Sequence, residues 1–143
     1  RIVRARSLTR AETEQVLIRI GVDPTLARDA EGSPGRAEYL DREGIPDAAA
    51  QLEGLLSRRG EDPLGSSEKL VRRRADENSK DQRRRLTETL RVVASRLRSR
   101  LPDSESDLRL VLEGLGSLAG NANPAMVFAD LALQRWKSPA LRN

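Results

Sequence analysis

Apolar and polar positions alternate with helical spacing along almost the whole chain. From Thr9 onward, Val16, Leu17 and Ile20 fall on one side of a helix predicted over Arg10 to Ile20. Thr9 and Glu12 stand three apart, the spacing at which a threonine hydroxyl and a glutamate carboxylate each satisfy a backbone N–H that the first turn leaves open. Gly21 stops this helix. Asp23-Pro24 starts a short one through Leu26 and Ala30, ended by Gly32. Ser33-Pro34 repeats the device and opens a third helix carrying Ala37, Tyr39 and Leu40. Gly35, lacking a side chain, lets another chain segment or a phosphate approach its backbone. The opening RIVRARSL alternates weakly and reads as a strand end or an extended linker.

Gly44 and Pro46 mark a boundary. Beyond it, Asp47 is placed to cap a helix burying Ala50, Leu52, Leu55 and Leu56 before Gly60, and GEDPLGSS reads as a polar loop. Ser67 to about Arg100 contains no Gly or Pro and predicts one long helix, with Leu86, Leu90, Val93 and Leu97 on a single stripe. Its first half, RRRADENSKDQRRR, has almost no apolar stripe and is expected to be solvated. Leu101-Pro102 ends it, and Asp103 or Ser104 caps the next helix, which carries Leu108, Val111, Leu112, Leu115 and Leu118 before Gly120. Asn123-Pro124 opens the last, with Val127, Phe128, Leu131, Ala132, Leu133 and Trp136. The expected fold class is all-α: a linker over 1–8, a small three-helix domain over 9–43 and a larger helical bundle over 46–140, with short loops favouring antiparallel neighbours.

Composition sharpens this little. The chain of 143 residues is 37% hydrophobic and 34% charged, with one each of Phe, Trp and Tyr, so its cores are aliphatic. The net charge of +4 permits an anionic partner without requiring one. With no Cys and no His there is no disulfide framework, thiol nucleophile, zinc finger or imidazole proton shuttle. An intracellular, cytoplasmic protein is expected: no apolar run approaches a membrane span of roughly 18 residues, and no signal peptide is recognised. The glycines around Gly60 and Gly65 precede Ser66-Ser67-Glu68-Lys69, which does not reproduce the phosphate-cradling G-x-x-x-x-G-K-[ST] spacing, so autonomous ATP hydrolysis is not expected.

Two carboxylate pairs, Glu12 with Glu14 and Asp103 with Asp107, have spacings that ordinary solvated helix faces also show, and neither receives a catalytic role. The triplets Arg72-Arg73-Arg74 and Arg83-Arg84-Arg85 fan around a helix rather than forming one edge. A solvated or ion-paired face is the first reading and a protein interface the second. Direct phosphate contact by Arg83, Arg84 and Arg85 is the third, in the absence of an aromatic stacking platform. Arg36, just inside a helix start, is placed either for a surface ion pair or for a two-point contact with phosphate oxygens.

The order of these pieces resembles a known family. Arg1-Ile2-Val3-Arg4 with Leu8, the helix through Val16-Leu17, Gly21-Val22-Asp23 and Gly32-Ser33-Pro34-Gly35-Arg36-Ala37 resemble the junction and small lid domain of AAA+ clamp-loader subunits. Among these they are most similar to the delta-prime family of bacterial DNA polymerase III. At the other end, Leu112 to Leu115, Asn123-Pro124-Ala125-Met126-Val127 and Leu131 to Leu133 resemble the collar-domain helices of that family. The resemblance implies a lid and a collar following an AAA+ core, where any zinc module of the family would also lie.

It further implies that Arg36 takes the place of the second sensor arginine, vestigial in a subunit without a competent ATP site. No cofactor is implied for this stretch, ATP being bound by partner subunits. The implied role is non-catalytic: a stator that packs against delta and gamma/tau collar helices while the whole complex places a sliding clamp on primed DNA. Leu108, Leu115, Phe128, Leu131 and Trp136 are the interface candidates, each equally suited to an internal core. The other readings are a helical protein–protein adaptor unrelated to replication and a basic helical nucleic-acid-binding domain.

Overall fold

A computed structural model describes residues 7–57 and 62–137, and among them eight α-helices, one 3₁₀ turn and no strand. The expectations on Arg1 to Arg4 and on Gly60 fall outside the described residues. The chain divides into two compact units, one running to Ile45 and the other beginning at Pro46.

In the first unit, local capping chemistry sets the element starts. Helix α1 (Arg10–Ile20) opens with Thr9 Oγ1 accepting from the Glu12 N–H at 3.1 Å, while the Glu12 carboxylate accepts from the Thr9 N–H at 3.1 Å. Gly21 ends it at φ 77°, where a side chain is strained. Asp23 Oδ1 accepts from the Thr25 N–H at 2.9 Å and starts the 3₁₀ turn Pro24–Leu26, which runs into α2 (Ala27–Ala30). Ser33 Oγ accepts from the Arg36 N–H at 3.2 Å and starts α3 (Pro34–Arg42).

One buried cluster is formed by Leu17, Leu26, Ala27, Ala30 and Ala37 with Val22 against it, and Leu40 and Ile45 are fully buried as well. Two expectations change here. Ile20 is 45% exposed and Val16 only half-buried, because the second core position of α1 is Thr13, whose hydroxyl donates to the Thr9 carbonyl at 2.8 Å and so costs no unpaired donor. The glycine approached by another segment is Gly32, not Gly35. A Cβ on Gly32 would collide with the Leu8 carbonyl oxygen, whereas one on Gly35 meets nothing within 4 Å. The reversal after α2 is made at Glu31 (φ 51°) and Gly32 (φ 81°) together.

Apart from Ile45, the first residue of α4 (Ile45–Leu56), the second unit holds α4, α5 (Pro63–Val71), α6 (Ser79–Arg98), α7 (Glu105–Ala119) and α8 (Pro124–Lys137). Helix α5 packs on α8, and α7 packs on both α6 and α8. The stripe Leu86, Leu90, Val93 and Leu97 is buried as its spacing demands. At Gly114 the two helices approach closely: a Cβ there would come 3.3 Å from Leu131 Cδ1.

Helix α4 starts earlier than its capping pattern suggests, so Asp47 sits in the first turn instead of capping it. Its apolar stripe is Ile45, Ala49, Leu52 and Leu56, which leaves Ala50 exposed. The expected polar loop at Pro63 is helix α5, because Asp62 Oδ1 accepts from the Gly65 N–H at 2.8 Å and Pro63 occupies the first turn.

The largest correction concerns the single long helix expected from Ser67 to Arg100. It is two helices, α5 and α6, separated by residues 72–78. Asn78 Oδ1 accepts from the Asp81 N–H at 2.8 Å and restarts the helix. The charged stretch is not uniformly solvated either, since Arg85 is 4% exposed.

Candidate functional site

Burial sorts the five interface candidates. Phe128 at 1% and Leu131 at 3% exposure lie inside the second unit's own core and have no face to offer a partner. Leu108 is at the edge of burial, and Leu115 and Trp136 are half-buried. Leu112 is 41% exposed, although its spacing places it with the core residues of α7; Leu110 and Gly114 take the inward positions. Leu108 and Leu112 line a shallow apolar groove whose rim is Glu105, Arg109 and Glu113. The ion pair Arg109–Glu105 at 3.5 Å is highly exposed and adds little stability. Leu101, before α7, is 50% exposed. Ile18, Ile20, Leu64 and Met126 are also exposed; what sets the α7 strip apart is that Leu112 shares a groove with Leu108.

The arginines are assigned quite differently. Arg83 Nη1 donates to the carbonyls of Leu118 at 2.9 Å and Ala122 at 3.0 Å, closing the C-terminal end of α7 with positive charge where the helix dipole is negative. Arg85 meets Glu77 at two points: Nε to Oε2 at 2.8 Å and Nη2 to Oε1 at 2.9 Å. It also donates to the carbonyls of Leu70 at 3.2 Å and Arg72 at 3.3 Å. Only Arg84 of this triplet is exposed. The Arg85 guanidinium, chiefly through its hydrogen bonds, holds the Glu77 carboxyl below its ordinary value, against the opposing effect of burial. No single phosphate-facing edge is formed by Arg83, Arg84 and Arg85, because two of the three point into the protein.

In the first unit, Arg36 Nη1 lies 3.0 Å from Glu31 Oε2, with the arginine side chain 24% exposed. The ion-pair alternative is therefore the contact formed, and it is local, across five residues. The carboxylate pairs do not converge: Glu12 belongs to the α1 cap, Glu14 pairs with Arg10 at 3.4 Å, and Asp107 pairs with Arg135 at 3.1 Å. Among the described residues, no group of three or more His, Cys, Asp or Glu is placed to hold a metal ion, and no helix is long and apolar enough to cross a membrane.

No family model, curated protein or solved structure matches this chain. The descriptors that accompany the family resemblance are corrected accordingly. DNA replication, DNA polymerase III, clamp loader, delta-prime subunit, DNA-directed DNA polymerase and nucleotidyltransferase complex find nothing in those comparisons to carry them. The description that stands is a chain of two units whose elements, among the described residues, are all helical.

Sequence spacing did not reveal the side chains that join the helices of the second unit. Glu53 on α4 takes Arg96 at 3.3 Å and Arg100 at 3.1 Å. Arg135 Nε on α8 donates to the Leu56 carbonyl at 2.6 Å. Such partners lie 43 to 79 residues apart, beyond any local pattern.

Proposed function

We propose that this chain is a non-catalytic structural subunit, a stator-type helical scaffold whose second unit docks on helices of partner subunits in a larger assembly. The observation that carries the reading is the open aliphatic strip of α7, where Leu112 is 41% exposed beside Leu108. An apolar face of this kind, rimmed by charge, is a common form of protein–protein contact surface. Support also comes from Arg83, Arg85 and Arg135, whose contacts serve helix ends and helix-to-helix ties. A cytoplasmic location accompanies the reading.

The partners to try first are those implied by the motifs at the two ends: collar regions of delta and gamma/tau subunits. Native mass spectrometry of the mixed proteins at moderate salt should show a discrete hetero-oligomer. Leu112→Arg should abolish it while leaving the circular dichroism spectrum unchanged, since Leu112 lies outside the core. Absence of a complex with folded partners, together with salt-sensitive DNA binding, would sink the proposal in favour of phosphate contact. Phe128→Ala is a poor probe, because Phe128 is core and its loss acts through folding.

A further inference from the structure

Residues 67–100 contain no Gly or Pro, so nothing in the covalent backbone forbids helix through the break at 72–78. Side chains from the start of α6 hold the break open. In an unbroken helix the carbonyls of Leu70, Val71 and Arg72 would accept from backbone N–H groups four residues later. Here each accepts from a side chain instead: Leu70 and Arg72 from Arg85, and Val71 from Gln82 Nε2 at 2.6 Å. Glu77, on the connecting segment, supplies the countercharge that allows Arg85 to be buried there. The same three acceptors thus have two mutually exclusive sets of donors.

We propose that the α5–α6 junction is a latched hinge: the Glu77–Arg85 pair holds α5 folded back onto α8, and its release lets residues 72–78 become helical and carries α5 away from α8. The alternative arrangement is a single straight helix from α5 through α6. Conversion uncovers apolar positions on both α5 and α8, including Leu70 and Val71, buried at present. Packed helices have discrete arrangements rather than a continuum, which makes the junction two-state.

The test exploits the absence of native cysteine. Cysteines are placed at the exposed positions Ser66 and Arg91, spin-labelled, and their separation read by pulsed electron resonance. An unbroken helix separates them by about 38 Å, at 1.5 Å per residue. The observed fold seats Val71 beside Gln82, which keeps the two backbones within about 30 Å by the same rise per residue. The unmodified background should show only the short distance. In Arg85→Leu the component near 38 Å should become the larger share, and in Glu77→Gln a smaller one.

Adding Ala75→Pro to Arg85→Leu should restore the short distance. Position 75 follows the first residue of the Arg74–Glu77 turn, closed by the Glu77 N–H on the Arg74 carbonyl at 3.1 Å, and proline suits that place but not a helix interior. An unchanged distance in both Arg85→Leu and Glu77→Gln overturns the proposal. So does a general loss of helical signal that Ala75→Pro does not reverse, since the pair would then be supporting the bundle rather than latching a hinge.

Discussion

Leu17→Ala probes the first unit where it has least to spare. The buried cluster there contains Leu17 and Leu26 and otherwise alanines, with Val22 at its edge, while Leu40 and Ile45 are the unit's other fully buried large aliphatics. Leu17 is fully buried and is the one large apolar side chain that α1 contributes to it. Truncating a buried leucine to alanine removes about 3 kcal/mol, within the usual range of roughly 2–5. A unit of 45 residues has about 2–7 kcal/mol to lose, taking roughly 0.05–0.15 kcal/mol per residue. The substitution therefore consumes most of the first unit's stability. It should lower amide protection in α1 and α3 about a hundredfold, at 1.4 kcal/mol per tenfold change. The assay is hydrogen exchange read by mass spectrometry at neutral pH, with α6 and α7 peptides as the internal reference. Equal loss of protection in α6 would refute the reasoning, because it would make the two units one cooperative structure. A loss of less than tenfold in α1 would refute the packing argument, because the site would then close over the missing methyls.

Thr9→Ala removes half of the reciprocal cap of α1 and should lower the first unit's stability by about 1 kcal/mol, seen as earlier exchange of the first-turn amides. Gly32→Ala places a Cβ against the Leu8 carbonyl at a positive φ and should destabilise by more than the roughly 1 kcal/mol of an ordinary glycine effect, measured by thermal melting. Glu77 gives a pH signature. Its folded carboxyl is held below the ordinary glutamate value by its hydrogen bonds to Arg85, with Arg74 adding to the effect, so its contribution is present above the unfolded value and lost as the pH falls through the folded one. The urea midpoint should accordingly fall more between pH 6 and pH 3 for the unmodified protein than for Glu77→Gln, and parallel curves would contradict the assignment.

Four helix starts were legible because capping is local, while those of α4, α5 and α6 were not read. Thr9, Asp23, Ser33 and Asn123 each accept from an N–H two or three residues away, and a sequence displays such spacings directly. The core stripe of α6 was legible for the same kind of reason: four residues at helical steps share one side whatever surrounds them. Periodicity says that a stripe exists but does not aim it within a turn, and so Ala49 rather than Ala50, and Leu110 rather than Leu112, face inward.

The break between α5 and α6 belongs to the tertiary structure. Arg85 finds its acceptors 8, 13 and 15 residues away, and Arg83 finds its own 35 and 39 residues away. Two arginines adjacent to Arg84 in the sequence, and chemically identical to it, are thereby turned into structural ties while Arg84 stays at the surface. The open strip of α7 was decided in the same way: its leucines are written in the chain, but which of them remains uncovered depends on where α6 and α8 come to lie. Local hydrogen bonding and helical period determined the elements. Burial and charge pairing across distant segments determined their breaks, their inward faces and the surface left for a partner.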